Sequence, residues 1–174
     1  MKFKKISLFV MIFAVMFLVT GCGNDNKEKD KENKEETKEE NKQDNTTNVE
    51  GKLEDLMTKV YEDIPEEERP MMLMNVEVNE ENVEYYLGTS EIEFEEALAS
   101  ESGTGSIAHS VVLVRLKDGA DVEKVKATIK ESVNPRKWIC VGAENVVVKN
   151  KGNLVILIMT NDGVEELEKG FDNL

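Results

Sequence analysis

The chain is poor in the residues that build disulfide frameworks and most catalytic or zinc sites. Its 174 residues include two cysteines, Cys22 and Cys140, and one histidine, His109. Zinc sites gather several Cys and His ligands, and hydrolytic triads need a base that activates a Ser or Cys nucleophile. A zinc site has too few Cys and His ligands to draw on, and a triad could use only His109 as its base. We therefore predict no catalytic residue, no metal site and no cofactor.

The one suggestive pair is His109 and the neighbouring Ser110. Adjacent residues of a strand point to opposite faces of a sheet, so Ser110 is a poor partner for His109. We interpret His109 as a partly exposed residue at a strand edge. The nearby glycine-rich segment 103–106 lacks the Lys and the helix of a phosphate-binding loop, and a hairpin turn explains it better.

Basic residues are scarce relative to acidic ones. There are 22 Lys and Arg against 36 Asp and Glu, which gives a formal net charge of -14. Removing the three lysines of the first 21 residues takes this charge to -17. Nucleic-acid binding rests on neutralising phosphates, so we predict no nucleic-acid partner. Adsorption to anionic lipid headgroups is disfavoured for the same reason, and membrane attachment would need an anchor.

Long hydrophobic runs are absent except at the start of the chain. A cationic Met-Lys-Phe-Lys-Lys precedes an apolar run of 14 residues, 6–19, broken only by Ser7. A permanent membrane-spanning helix needs about 20 residues, so a retained span is the weaker interpretation. The pattern is typical of an export signal, and we predict a signal peptide over residues 1–21.

The end of this segment, Leu18-Val19-Thr20-Gly21-Cys22, resembles the bacterial lipobox. The resemblance implies lipid attachment at Cys22: diacylglycerol on the thiol, with further acylation, such as palmitate, on the new amino group. Two or three acyl chains anchor a protein stably where one is marginal. The expected location is the outer, extracytoplasmic face of a Gram-positive-type cell membrane.

Residues 22–50 form a predicted lipid-anchored, disordered, charged linker, and residues 51–174 a single domain. The linker is almost wholly Lys, Glu, Asp, Asn, Gln and Thr, with too little apolar surface to offset the entropy of ordering. Cys140 lies in an apolar run, Trp138-Ile139-Cys140-Val141, and is interpreted as a small buried hydrophobe.

Periodicity within the domain predicts an α+β fold. Helices are expected over 52–62, 80–87 and 121–133, and a last helix opened by an Asp162–Glu165 capping box. Extended chain is expected over 71–78, with one hairpin over 91–116 and another over 145–159. Helix is the alternative for 91–100, because Glu, Ala and Leu favour it. We predict a small two-layer sandwich, an antiparallel sheet of about four to five strands with helices mainly on one face. The run 154–159 is apolar on both faces and should be a central strand.

Two clusters of acidic residues are candidate oxygen ligands for calcium. No Asp-x-Asp-x-Asp-Gly loop frames them, and we interpret them as solvated faces. The clusters are Glu66, Glu67 and Glu68, and Glu93, Glu95, Glu96 and Glu101.

The strand 111–116, the Asp-Val-Glu-Lys-Val-Lys helix and the closing Asn-Lys-Gly-Asn-Leu-Val-Ile-Leu-Ile hairpin resemble a family of Firmicute lipoproteins known only as a domain of unknown function. The resemblance covers about residues 53–174. It implies an extracytoplasmic lipoprotein and brings no activity or site residues. The order of elements over 111–171 is also similar to ring-building modules of secretion and sporulation machines.

These features favour a non-enzymatic, membrane-anchored binding or scaffolding domain of the cell envelope. Its expected partners are the membrane, through the lipid anchor, and an envelope protein or small ligand of unknown identity. Two alternatives remain open: an envelope enzyme or metal-dependent factor with a site dispersed in sequence, or a subunit of a ring-forming homo-oligomer.

Overall fold

A computed structural model describes residues 47–174, which fold around one five-stranded antiparallel sheet. The elements, in chain order, are α1 Leu53–Val60, a 3-10 turn Glu66–Glu68, β1 Leu73–Glu77, α2 Val83–Leu87, β2 Glu96–Ser102, β3 His109–Arg115, α3 Val122–Ser132, β4 Asn145–Lys151, β5 Leu154–Thr160 and α4 Val164–Asp172. The predicted α+β class with its antiparallel sheet is thus confirmed.

The strands lie in the order β1-β2-β3-β5-β4, so β5 is inserted between β3 and β4. Its register places Val112 opposite Leu157 on one side and Val148 opposite Leu157 on the other. Every residue of β5 is buried, which confirms the central position predicted from its apolar run. β1 and β4 are the two edge strands of the sheet.

The helices cover both faces of the sheet, and the prediction that they lie mainly on one face is wrong. α1 and α4 pack on the face that carries Val111 and Leu113, while α2 and α3 pack on the face that carries Val112 and Val114. The reason is visible in β3 and β5, whose successive residues are apolar. Strands that are apolar on both faces need a cover on each.

Two glycines lie where the chain turns, and one strand begins later than its sequence pattern indicates. Gly88 ends α2 at φ 77°, and Gly152 turns the β4–β5 hairpin at φ 56°, both in the left-handed region that favours glycine. β2 begins at Glu96 and runs to Ser102, later than the predicted strand, because Ile92 reaches the core from an irregular segment.

The predicted Asp162–Glu165 capping box is wrong. Gly163 is the N-cap of α4, and no side chain caps the helix. Asp162 instead belongs to a tight turn after β5, in which its backbone N–H donates to the hydroxyl of Thr160.

Ordered contacts begin before α1, at the end of the predicted linker. Val49 is buried in the core beneath α1 and α4, and its carbonyl accepts a hydrogen bond from the guanidinium of Arg115. The carbonyl of Gly51 accepts a second bond from the same guanidinium, whose third partner is the carboxylate of Glu96. Arg115 therefore ties the incoming chain to the sheet.

Candidate functional site

The loops at one end of the sheet enclose a cleft of about 720 Å³. β3 begins at this end and β5 finishes there, and the segment after α1 and the start of α4 close the sides. Arg69 fixes the segment after α1, because its guanidinium donates to the carbonyls of Ile64 and Tyr61, each at 2.9 Å. The cleft walls are therefore held by hydrogen bonds as well as by packing.

The cleft combines apolar and acidic side chains. The apolar lining is Ile64, Pro70, Ile107, Ala108 and Val141. The carboxylates are Asp63, Glu68, Asp162 and Glu166. Among residues 47–174, no Lys or Arg lines it. Lys169 lies outside the lining and pairs with Asp63 at 2.7 Å, which leaves the other three carboxylates without an ion pair within the described chain. The lining of the cleft is therefore negatively charged, and its base is apolar.

A buried series of hydrogen bonds lies behind one wall, which His109 and Thr160 line. The Tyr61 hydroxyl lies 2.7 Å from Nε2 of His109, and Nδ1 of His109 lies 2.9 Å from the hydroxyl of Thr160. That hydroxyl is 3.1 Å from the carbonyl of Asp162, to which it can only donate. The one consistent assignment is then Tyr61 donating to Nε2, Nδ1 donating to Thr160, and Thr160 donating to Asp162.

Burial determines the protonation states of His109 and Tyr61. It lowers the pKa of His109 from 6.5 to about 4, and the carboxylate of Asp162 opposes the shift only partly. Burial also raises the pKa of Tyr61 far above its ordinary value of 10, against the opposing effects of Ser100 and Arg69. At neutral pH both groups are uncharged. Each ring nitrogen of His109 is already bonded, so a substrate proton could reach it only by displacing Tyr61 or Thr160.

His109 is therefore placed differently from its prediction. It is buried at the start of an interior strand, where we had expected a partly exposed edge position. The error arises because the sequence does not show which strands flank β3. In the fold, β5 and the segment after α1 cover the ring. The predicted separation of His109 from Ser110 is correct, since Ser110 contacts Lys137 on the opposite face.

Beneath α2, on that opposite face, lies a buried ion pair. The Nζ atom of Lys137 is 3.2 Å from Glu101, and the two side chains are only 5% and 9% exposed. Trp138 and Tyr85 donate to the same carboxylate at 2.9 and 3.1 Å. The ammonium also lies 4.1, 4.6 and 5.2 Å from the ring centroids of Tyr85, Tyr86 and Trp138. Burial lowers the pKa of Lys137, and Glu101 opposes this shift.

The interpretation of Glu101 as part of a solvated acidic face is wrong. Glu101 lies in β2 on the face covered by α2, and its carboxylate is satisfied by three donors. Glu93 and the three glutamates of the 3-10 turn are exposed, as predicted. Among residues 47–174, no group of three or more His, Cys, Asp or Glu side chains is arranged to hold a metal ion.

The two cysteines have different outcomes. Cys22 and the signal peptide lie outside residues 47–174, so lipid attachment there stays a prediction. Cys140 is exposed, and its prediction as a buried hydrophobe is wrong. It sits in an irregular loop at φ 65°, where Trp138 turns inward and Ile139 and Cys140 turn outward. An apolar run in a loop has no fixed face, and periodicity cannot assign its burial.

Sequence reasoning missed most of the cleft. Tyr61 falls within the predicted helix 52–62 without an assigned role, and Thr160 lies just beyond the predicted hairpin 145–159. The hydrogen bonds to His109 join residues separated by 48 and 51 positions. No local pattern signals such contacts.

No helix of residues 47–174 is long and apolar enough to cross a membrane.

Comparison with protein-family models, with curated proteins and with solved structures finds no match to this chain. The resemblance to a Firmicute lipoprotein family therefore stays a prediction.

Proposed function

We propose that the protein is a lipid-anchored binding domain on the outer face of the cell membrane, with its ligand site in the cleft. The observation that supports this proposal is the cleft. A concave site with an apolar base and a few convergent polar groups is the usual form of a small-ligand site. The lipobox at Cys22 and the polar linker support the location.

The lining indicates the class of ligand. Four carboxylates around an apolar base, with no Lys or Arg among the described lining residues, disfavour anions and fit an amine or guanidinium on an aliphatic stem. Diamines, polyamines and the side chains of Lys and Arg share this chemistry. The neutral His109 adds no positive charge that would repel such a ligand at pH 7.

Calorimetric titration with cadaverine and spermidine tests the proposal. The protein would begin at Gly23, which keeps the whole folded part, and Asp162→Asn/Glu166→Gln is the variant. A matched control is Glu123→Gln/Glu131→Gln, which removes the same charge from the exposed surface of α3. We expect the cleft variant to weaken binding about tenfold, the effect of losing one or two charge-assisted contacts, and the control to change it little.

Equal weakening in both variants would show that amines only screen the acidic surface, which would contradict the cleft as a ligand site. Because a polyamine binds any acidic protein weakly, cadaverine is the sharper probe. Its two ammonium groups suffice to bridge the cleft carboxylates, and its pentane stem fits the apolar base.

A second candidate function, an envelope enzyme, is favoured by one observation: the cleft gathers His109 with several carboxylates. Against it stands the engagement of both ring nitrogens by Tyr61 and Thr160. Turnover of p-nitrophenyl acetate or p-nitrophenyl phosphate tests this function. Activity that follows saturation kinetics and disappears in His109→Gln would support it over the binding proposal.

A further inference from the structure

The outer edge of β1 is open, whereas the opposite edge of the sheet is protected. On β4, Lys149 and Lys151 reach Asp172 at 2.7 and 2.9 Å, and α3 packs against the strand. Lysines on an edge strand are a common protection against further pairing. β1 carries no lysine, and no strand of residues 47–174 pairs with its outer side.

The backbone groups that face outward can be assigned from the ladder. The carbonyl of Met72 accepts from the N–H of Gly103, and the N–H of Val78 donates to the carbonyl of Ala97, so the even-numbered residues face β2. Alternation then directs the N–H and C=O of Leu73 and Asn75 outward. The next outward carbonyl, that of Glu77, already accepts from the side chain of Asn82. The open part of the edge is therefore Leu73–Asn75.

Exposed apolar side chains surround this open part. Among residues 47–174, five large apolar residues are more than 45% exposed, and all lie on or near β1. They are Met71, Met72, Met74, Tyr85 and Ile139. Met74 is the register partner of Glu101, to which Tyr85 donates, so Met74 and Tyr85 share a face. The turn after β2 continues the surface, because Gly103 lies against Met74 and Gly105 against Ile139. We call the open edge with these five side chains the methionine edge.

The charges around the methionine edge indicate which kind of partner would bind there. Residues 66–84, which contain β1, carry seven glutamates and one basic residue, Arg69. Arg69 is engaged by two carbonyls, and Lys137 beside Tyr85 is paired with Glu101. The methionine edge is thus an apolar centre within a negative surface. A second copy of this acidic chain would bring like charges together, whereas a basic segment would be attracted.

We propose that the methionine edge binds an extended segment of a partner protein in which basic and apolar residues alternate. The segment pairs with Leu73–Asn75 as an added strand, its apolar side chains contact the methionines, and its basic side chains meet the surrounding glutamates. Methionine suits such a surface because its flexible thioether adapts to different apolar partners. This inference does not depend on the ligand of the cleft.

The test uses a synthetic peptide, acetyl-Lys-Ile-Lys-Val-Lys-Ile-Lys-amide, with the protein starting at Gly23. Two matched peptides serve as controls: one has Glu in place of Lys, and the other is N-methylated at alternate residues, which removes the donors needed for strand pairing. In the protein, Asn75→Pro removes an outward N–H without touching the bonds to β2, and Asn75→Ala retains it. Fluorescence anisotropy of the labelled peptide gives the affinities.

We expect the basic peptide to bind at a single site, Asn75→Pro to weaken it about tenfold relative to Asn75→Ala, and neither control peptide to bind comparably. Asp162→Asn/Glu166→Gln should leave this affinity nearly unchanged, which separates the methionine edge from the cleft. If Asn75→Pro fails to fold by circular dichroism, the N-methylated peptide on the unaltered protein decides. Three outcomes would overturn the proposal: equal affinities for the Pro and Ala variants, equal binding of the Glu peptide, or a dimer in light scattering that Asn75→Pro abolishes. The last outcome would assign the edge to a second copy.

Discussion

At the scale of single residues, His109 shows how burial sets chemistry. The ring lies between Tyr61 and Thr160 and is neutral at pH 7 because burial lowers its pKa to about 4. In the unfolded chain the same ring would titrate near 6.5. Between these two values the unfolded state binds more protons than the folded state, so folding stability must fall as the pH falls.

The expected size of this effect follows from the two pKa values. Stability should be unaffected by His109 above pH 7, and should decrease by about 3 kcal/mol between pH 7 and pH 4 on its account. Urea denaturation at a series of pH values measures it. The variant His109→Gln, less stable at pH 7 because it loses ring contacts, should show a flatter dependence over this interval. An unchanged slope would mean that folding does not lower the pKa of His109.

The buried pair of Lys137 and Glu101 gives a second prediction. Glu101→Ala leaves an unpaired ammonium 5% exposed and removes the acceptor for Trp138 and Tyr85. We expect a loss of about 3 to 5 kcal/mol in the free energy of unfolding, measured by urea denaturation.

The double variant Glu101→Ala/Lys137→Met is the control for that prediction. Because it removes the unpaired ammonium charge and keeps an aliphatic stem among the aromatic rings, this double variant should be more stable than Glu101→Ala alone. A double variant that is less stable than the single would show that the ammonium is stabilised by the rings of Tyr85, Tyr86 and Trp138 without the carboxylate.

At the scale of elements, the contact between α1 and α4 depends on a glycine. A Cβ atom on Gly170 would lie 2.3 Å from the carbonyl oxygen of Val60, so any larger residue must separate the helices. We expect Gly170→Ala to lower the free energy of unfolding by about 1 to 3 kcal/mol. Thermal and urea denaturation measure it. Gly105→Ala is the control, since its Cβ would meet Ile139 at an ordinary 3.6 Å. Equal effects would contradict the close approach.

The elements were largely predictable and their arrangement was not. The helical stripe of Val122, Val125 and Ile129 and the apolar run of β5 are strong local signals, and both elements occur where expected. Which helix covers which face depends on contacts between distant segments. The cleft is a product of that arrangement, because Tyr61, His109 and Thr160 come from one helix end and two strands, so sequence patterns gave no sign of it.

At the scale of the whole molecule, the proposed lipid anchor lies near one end of the chain and the proposed binding domain at the other. Cys22→Ser tests the anchor by metabolic labelling with an alkyne analogue of palmitate. We expect the label on the unaltered protein and on Cys140→Ser, and none on Cys22→Ser. Label retained after Cys22→Ser, or no label on the unaltered protein, would contradict lipid attachment at Cys22.

The net charge of -14 also acts at this scale. A net negative charge disfavours adsorption to anionic lipid and attracts cationic ligands to every acidic part of the surface, so binding alone does not identify a site. The location of binding is what distinguishes a built cleft from a negative surface.

The most direct test of the central claim is therefore a map of cadaverine binding by ¹⁵N–¹H correlation spectra of the protein starting at Gly23. We expect saturable shifts concentrated at the backbone amides of Ile107, Ala108, Asp162 and Gly163, which line the cleft. Shifts of similar size along α3 and at the exposed Glu80 and Glu81, with none concentrated at the cleft, would contradict it.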